Sequence, residues 1–535
     1  MGATSSTEQA TSEQREAESL AASTGGLSLL QHVFSNLSHP QTHSISPSSL
    51  QQSFGIDFEK VECEAIESPI GFAELLNHVG SSIVDLFFLA EKGGINWIEF
   101  LRGYTKCCGR TSASNSLNNL CRVFGMAAEK AGLSLKLKFE FDDTDCKMTG
   151  SLLASELLML LWVCWLMSWH HRNTNNSKQK ANHILPDLSH IVLSAVESCS
   201  DTSSDIKNFN LSELNIELPA GKIHMWALRT VPFLADSFGQ FVHAKLRKAV
   251  SQEDNLEKSG PSVGDISSTK CTTCLLTPGR AWAVSLNLRS ILHEEIVKTC
   301  FPNNAYETDE NLLYRSGLHG RGMNRFWANV EGYKGPLLML IAASSDDAHE
   351  GGKDAKEWII GALTDQGFEN KDTFYGSSCS VYALSPVFHT FSSSGKEKNF
   401  IYSHLHPTGR LYEPHPKPVG IGFGGTIGNN RIFLDEDFAR VTLNHHAHDK
   451  TYQPGSLCPG QGYLPLKASV LDVEVWGLGG RSAKEVQNAN QKREDLFTEQ
   501  RRKIDLKTFS NWEDSPEKMM MDMMSNPNTV QREER

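Results

Sequence analysis

Residues 470–480 read Val470-Leu471-Asp472-Val473-Glu474-Val475-Trp476-Gly477-Leu478-Gly479-Gly480. Strand side chains alternate between two faces, which puts Leu471, Val473 and Val475 together and Asp472 and Glu474 opposite them. The closing glycines mark the end of the strand. Further strand signals lie upstream in Gly335-Pro336-Leu337-Leu338-Met339-Leu340-Ile341, in Trp358 to Leu363 and in Ser380 to Leu384. Gly, Asn, Ser and Pro turns separate them, so two packed antiparallel sheets are expected. A helix over Trp282 to Val297 precedes them.

The N-terminal half has a helical period instead. Phe72, Leu75, Leu76 and Val79, then Ile83, Leu86 and Phe87, recur at three- and four-residue spacing. The chain therefore reads as α+β. Residues 1–50, rich in Ser, Thr and Gln, are expected to be a disordered tail. Residues 70–250 form a helical region, 251–280 a linker, 281–480 the sheet domain with its preceding helix, and 481–535 a charged tail. One segment, Ser151 to Trp169 (SLLASELLMLLWVCWLMSW), approaches the length of a membrane span. Its wholly apolar part, Leu157 to Trp169, is shorter, and an acidic start and a basic end favour a buried helix.

Two stretches share the outline of a calcium-binding EF-hand loop, which places Gly at position 6 and Glu at position 12. Asp145 to Glu156 keeps Asp145, Gly150, Leu152 and Glu156, but Lys147 stands where an oxygen ligand belongs. Phe88 to Glu99 keeps Gly93, Ile95 and Glu99, with Phe88 and Ala90 at ligand positions. Read together they look like a paired EF-hand-like domain that has lost its metal. The other reading is two coincidental helix–glycine–helix turns.

Net charge is −12, from 51 basic and 63 acidic residues, so the overall field does not favour nucleic acid. Residues 1–70 hold nine acidic and two basic residues, −7 of that total. No apolar core follows a basic start, so no secretory signal is expected, and the twelve Cys are expected as thiols in a reducing cytosol. The start Met1-Gly2-Ala3-Thr4-Ser5-Ser6 fits the N-myristoylation pattern, with Gly2 as the acceptor. One myristoyl chain binds membranes only marginally and normally needs basic or further lipid support. The acidic leading residues offer none, which calls for a protein partner at the membrane.

Residues about 312 to 480 resemble a TLDc domain, the module of the oxidation-resistance proteins. The resemblance rests on an ordered series of segments. They are Leu312 to Ser316, Gly335 to Ile341, Ile360 to Thr364, Phe374-Tyr375-Gly376, Tyr382 to Pro386, Gly420 to Gly425, Ile432 to Asp437 and Val473 to Gly480. A helical half with decayed EF-hand turns in front of it is similar to a plant and fungal branch of that family. Stretches around Ser345 to Lys356 and His404 to Lys417 depart from the pattern as insertions. The resemblance implies a β-sandwich with flanking helices. Gly361, Phe374, Gly376, Glu474, Trp476 and Gly477 would then be mainly structural signature residues. It further implies binding to subunits of the vacuolar-type proton ATPase and a role in oxidative-stress resistance. An exposed acidic residue such as Glu474 is a candidate contact for that pump.

No H-E-x-x-H or doubled C-x-x-C motif occurs. The Gly420 to Gly425 run lacks the lysine ending of a phosphate loop and reads as a glycine hairpin or bulge. The expectation is a non-enzymatic, cofactor-free adaptor. It is placed in the cytoplasm, peripheral on a vacuolar or lysosomal type of endomembrane, with the nucleus as the alternative. Two other functions stay open. One is a calcium sensor using Asp145 and Glu156; the other is a metal-dependent or peroxide-reactive enzyme using His445, His446 and His448 or a thiol.

Overall fold

A computed structural model of the chain describes residues 4–56, 58, 61–63, 69–90, 93–141, 146–172, 183–199, 215–251, 274–301, 311–345, 357–406, 416–458 and 460–512. Gly2, Asp145, most of the expected linker, both insertions except their ends and the tail beyond 512 lie outside these residues. The described residues form an N-terminal helical half and a C-terminal half built on an antiparallel sheet.

The expectation of a disordered tail over 1–50 is corrected. Helices α1 (Thr4–Ala22), α2 (Leu27–Leu37) and α3 (Pro47–Ser53) occupy it. Its polar composition masked a few well-spaced apolar residues. Ala17, Ala21, Leu30, Val33 and Leu50 are all buried, and Phe34 packs edge-on against Trp97 at 5.2 Å. Ser46 caps α3 by accepting from Ser49 N at 3.1 Å, and Pro47 occupies the first turn, where no N–H is needed.

Strand β1 (Val61–Cys63) leads to α4 (Phe72–Phe87) and α5 (Trp97–Cys108). Among the described residues, the loop between α4 and α5 does not pair with residues 146–156. Ile95 instead exchanges backbone hydrogen bonds with Ile45 (2.9 and 2.8 Å), joining it to the α2–α3 loop. A second junction of the same kind follows α6 (Ala113–Lys130). Strands β2 (Leu137–Phe141) and β3 (Cys146–Leu153) form a hairpin that runs into α7 (Ala154–Arg172). Next come β4 (His183–Leu185), which pairs with β1, α8 (Ser189–Cys199) and β5 (Glu217–Pro219). Strand β5 pairs with β3, Leu152 facing Leu218, and precedes α9 (Ala220–Thr230) and α10 (Asp236–Ser251).

Two residues before the bridging residue, three of these four loops turn left-handed, at His43 (φ 48°), Gly93 (77°) and Gly150 (88°). Histidine holds the first of these positions, so the α2–α3 loop gave no glycine signal. Helix α7 is buried around its whole circumference from Leu157 to Met167, with Trp162 Nε1 donating to Pro186 O at 3.1 Å. Among the described residues no helix is long and apolar enough to cross a membrane.

The helix expected over Trp282 to Val297 is two: α11 (Pro278–Ser285) and α12 (Ser290–Cys300). The sheet strands follow. They are β6 (Leu312–Arg315), β7 (Leu337–Ser345), β8 (Glu357–Thr364), β9 (Lys371–Tyr375), β10 (Cys379–Ser385) and β11 (His389–Phe391). The remainder are β12 (Ile401–His404), β13 (Gly420–Phe423), β14 (Ile432–Asp435), β15 (Arg440–Leu443) and β16 (Leu466–Gly477). A helix from Gly480 to Trp512 ends the described chain.

The two expected layers are one continuous antiparallel sheet, curled over on itself. Its order is β11-β10-β8-β7-β16-β15-β14-β13-β12-β9, with β6 also on β16. Strand β9 sits between β8 and β10 in sequence, yet it bonds to β12 at the far end of that order. Connections that short are possible only if the two ends of the sheet lie close together. Tyr452 Oη closes the curl by donating to Phe400 O at 3.1 Å.

Strand β7 shows why its sequence is apolar throughout. Leu337, Met339, Ile341 and Ala343 fill the inside of the curl, while Leu338, Leu340 and Ala342 join the core of the helical half. A strand buried on both faces loses the alternation of a half-buried one. Strand β16 departs from its expected alternation at one point. The register shifts between Val470 and Asp472, a bulge that turns Leu471 outward, 42 % exposed, while Val473 and Val475 stay inside.

Candidate functional site

The outer face of β16 is covered by the helical half, and a polar cluster lies at that junction. Glu474 is fully buried there, which corrects its expected exposure as a pump contact. Its carboxylate accepts from Leu275 N (2.8 Å), Leu276 N (3.2 Å) and Trp476 Nε1 (3.0 Å), with Arg315 Nε 3.5 Å away. Burial pushes this carboxyl above its ordinary range, and the three N–H donors and the Arg315 cation oppose the shift. Arg315 on β6 also donates to Asp472 at 2.9 Å. Asp472 sits at the bulge, where it accepts from Ser316 Oγ (2.5 Å), Gly317 N (3.2 Å) and Val473 N (2.9 Å). Burial acts to raise Asp472, but Ser316 and Arg315 outweigh it and hold the carboxyl below its usual value. Arg280 of α11 donates to Leu275 O at 2.8 Å and locks the same short segment from the other side.

Two further contacts extend the junction. Phe388 N donates to His190 O at 3.0 Å, and His389 Nε2 lies 3.0 Å from Glu197 on α8. His190 is buried, and its ring meets Phe388 edge-on at 6.2 Å. The arrangement has no nucleophile–base pair. What it can do is fasten a sheet to a helical body through charge-assisted hydrogen bonds.

The signature residues do not converge on one place. Glu474 and Trp476 meet at the junction. Gly361 lies in β8, where an added Cβ would come within 3.1 Å of Leu340. Phe374 lies in β9, half-buried, its ring 5.9 Å from Tyr402. Gly376 turns the chain towards β10 with φ 99°. At Gly477 a Cβ would stand 2.7 Å from Tyr333 Oη. The junction residues missed from sequence are Arg280, Arg315 and the Leu275–Leu276 amides. Asp472 and Glu474 carried a signal, as charges inside a strand.

A second buried ion pair lies inside the curl. Arg431 and Asp449 are both 1 % exposed and 3.4 Å apart. Asp449 accepts from Gly425 N (3.0 Å) and Thr451 N (2.8 Å). Arg431 donates to Gln453 O (2.7 Å) and Gly455 O (2.8 Å) and lies 4.7 Å from the Phe391 ring centre. The glycine run thus forms a hairpin turn whose amide holds a carboxylate of the protein itself. A Cβ at Gly424 would meet that carboxylate at 2.9 Å, so the position admits little but glycine.

The other candidates separate. His445 stacks on Tyr463 at 4.0 Å and accepts from Ala447 N at 3.1 Å. Among the described residues no group of three His, Cys, Asp or Glu side chains is placed to hold a metal ion. Glu156 accepts from Leu153 N at 2.7 Å, and burial raises its carboxyl. Glu99 forms a capping box with Asn96 (2.9 and 2.8 Å). Lys147 faces Glu140 across the β2–β3 hairpin, so strand pairing takes up the half of the loop where calcium ligands would stand. Burial pushes the thiols of Cys108, Cys164, Cys379 and Cys458 up to about 12, which keeps them as unreactive thiols.

The sheet and its flanking helices are a TLDc domain: the TLDc family model matches residues 287–479. The chain is 25% identical over 170 residues to the MTOR-associated protein MEAK7 of Danio rerio, covering 31% of this chain and 32% of that protein. It is also 25% identical over 167 residues to oxidation resistance protein 1 of Rattus norvegicus, and likewise to that of Mus musculus. Those matches cover 31% of this chain and 16% of the relatives. The chain therefore spans about a third of the MEAK7 relative and about a sixth of the oxidation resistance proteins. These relatives are named for oxidation resistance and for association with MTOR.

Proposed function

We propose that this chain is a non-catalytic adaptor whose TLDc domain binds the vacuolar-type proton ATPase at an endomembrane and regulates it, with a role in oxidative-stress resistance. The TLDc match over residues 287–479 carries this reading, and relatives named for oxidation resistance support the stress role. Two observations weigh against the catalytic alternatives: burial pushes the thiols of Cys164 and Cys379 up to about 12, and His445 stacks on Tyr463. A myristoyl chain on Gly2 would supply one weak membrane attachment, and the pump would supply the second.

The fastened junction narrows how such binding can occur. The outer faces of β7 and β16 are covered by the helical half, so a partner would meet the sheet's rims and loops. The test is a pull-down from solubilised membranes with wild type and Gly2→Ala. Both proteins should recover pump subunits, and only wild type should sediment with membranes in their absence. Failure of both to recover any pump subunit overturns the proposal.

A further inference from the structure

Strand β2 lies at an edge of the three-stranded sheet β2-β3-β5, and among the described residues no strand pairs with its outer side. Ser151 N donates to Lys136 O at 3.4 Å, and the register continues without a shift to Phe141 opposite Cys146. Hydrogen bonding alternates along an antiparallel strand, so Lys136, Lys138 and Glu140 turn their N–H and C=O groups towards β3. Leu137, Phe139 and Phe141 turn theirs to the open edge.

Such edges are normally blunted by proline, by a bulge or by a charge pointing inward. Strand β2 holds no proline, its register has no shift, and its inner residues Leu137 and Phe139 are apolar. Both are half-buried, whereas Lys138 and Glu140 on the other face are exposed. A Cβ added to Gly125 of α6 would come within 3.3 Å of the Phe139 ring, so the strand rests on that helix. An open cleft of about 910 Å³ adjoins it, lined by Leu86, Met126, Leu133, Leu135, Leu137 and Phe139 among others.

The side chains that come to stand opposite each other decide what can pair with an edge. The strand Leu137-Lys138-Phe139-Glu140-Phe141 is complementary to itself when a second copy runs antiparallel about Phe139. Phe139 then faces Phe139, Leu137 faces Phe141, and each Lys138 faces a Glu140. The central pair falls on residues whose backbone groups are open. The ion pairs fall on the alternate positions, where opposite side chains approach most closely. Neighbouring registers fail, because centring on Lys138 or Glu140 opposes like charges, and centring on Leu137 opposes Lys136 to Lys138.

We propose that the open edge of β2 is a dimerisation surface, at which two copies of this chain join their small sheets into one. The contact is isologous and closes on itself, so it makes a dimer and not a fibre. The paired strands are short, and small interfaces associate weakly. This inference is independent of any pump binding, since it concerns only the helical half.

Sedimentation velocity of the full-length chain from about 1 to 100 μM tests it, a range that spans weak association. Wild type should pass from monomer to dimer across that range. Lys138→Glu and Glu140→Lys alter exposed positions, and each sets like charges opposite one another at two symmetry-related places. Each should weaken the dimer about tenfold or more. An equimolar mixture of the two variants should dimerise as wild type does, because each altered strand then faces the opposite charge in the other. Wild type that stays monomeric throughout overturns the proposal, and protection of the Phe139 amide from hydrogen exchange in that monomer would assign the edge to another segment of the same chain. A dimer that both variants leave intact, or that the mixture fails to restore, overturns the proposal equally.

Discussion

The protein buries two carboxylate–arginine groups, Asp449 with Arg431 and Glu474 with Arg315, and uses them differently. Asp449 and Arg431 bind each other and the backbone of neighbouring loops, all within the curled sheet. Glu474 takes two of its three N–H donors from Leu275 and Leu276, which precede the TLDc match. One group closes a domain on itself, and the other joins that domain to a second body. A buried charge costs several kcal/mol unless it is paired, so each becomes a point where removing one partner is expensive.

The largest effect is expected at the inner pair. Arg431→Met leaves Asp449 buried without its cation and should cost about 3–5 kcal/mol. Denaturant unfolding should show this as a loss of TLDc stability, with the helical half little affected. Glu474→Gln keeps the shape but removes the charge, and should cost about 1–3 kcal/mol. Calorimetry should then resolve two transitions where wild type has one. A single transition shifted downward would mean that Glu474 supports its own domain and does not join the two halves, and the contrast between the groups would fail.

The left-handed loop positions sharpen a smaller contrast between crowded and open turns. An alanine Cβ at Gly150 would lie 2.0 Å from Lys136 O, whereas nothing lies within 4 Å of one at Gly93. Gly150→Ala should therefore cost about 1–3 kcal/mol through forced backbone movement. Gly93→Ala, with conformational strain alone, should cost about 1 kcal/mol. Thermal melts of the two variants compare them directly.

His190 gives the junction a response to acid. Burial lowers its imidazole from 6.5 to about 4, Arg280 contributes in the same direction, and Asp187 and the Gly279 backbone oppose it. The folded ring stays neutral where the unfolded one is protonated. Its stabilisation is therefore complete above pH 6.5 and is lost as the pH falls towards 4. His190→Phe should flatten the pH dependence of melting in that window and change little above it. The smallest expected effect is none: millimolar calcium should leave the melting midpoint of wild type and of Glu156→Ala unmoved. A calcium-dependent rise abolished by Glu156→Ala would restore the sensor reading.

Particular elements show what was legible in the sequence. The β strands and the apolar run of α7 announced themselves through local periodicity, and the TLDc segments appeared in order. Glu474 illustrates the limit. Its alternation placed it correctly opposite Val473 and Val475, but alternation reports only which side a residue faces. Whether that side meets water or protein depends on segments far away in sequence, here Leu275 and Leu276. Leu471 was misplaced because a bulge of one residue leaves no trace in composition. The loop over 38–46 was missed because His43 takes a turn position that glycine usually fills, and no acidic residue follows it.

The sequence by itself determined where helices and strands form, because side-chain period and turn chemistry act within a few residues. It also determined the TLDc character of the C-terminal half and that neither EF-hand-like loop carries a full set of calcium ligands. Tertiary structure alone decided that Ile95 pairs with Ile45 and Leu152 with Leu218, and that β9 bonds to β12. It also decided that the outer face of β16 is an interface. Those choices rest on contacts between distant segments, whose energies come from burial and hydrogen bonding at the assembled surface and are encoded in no single stretch.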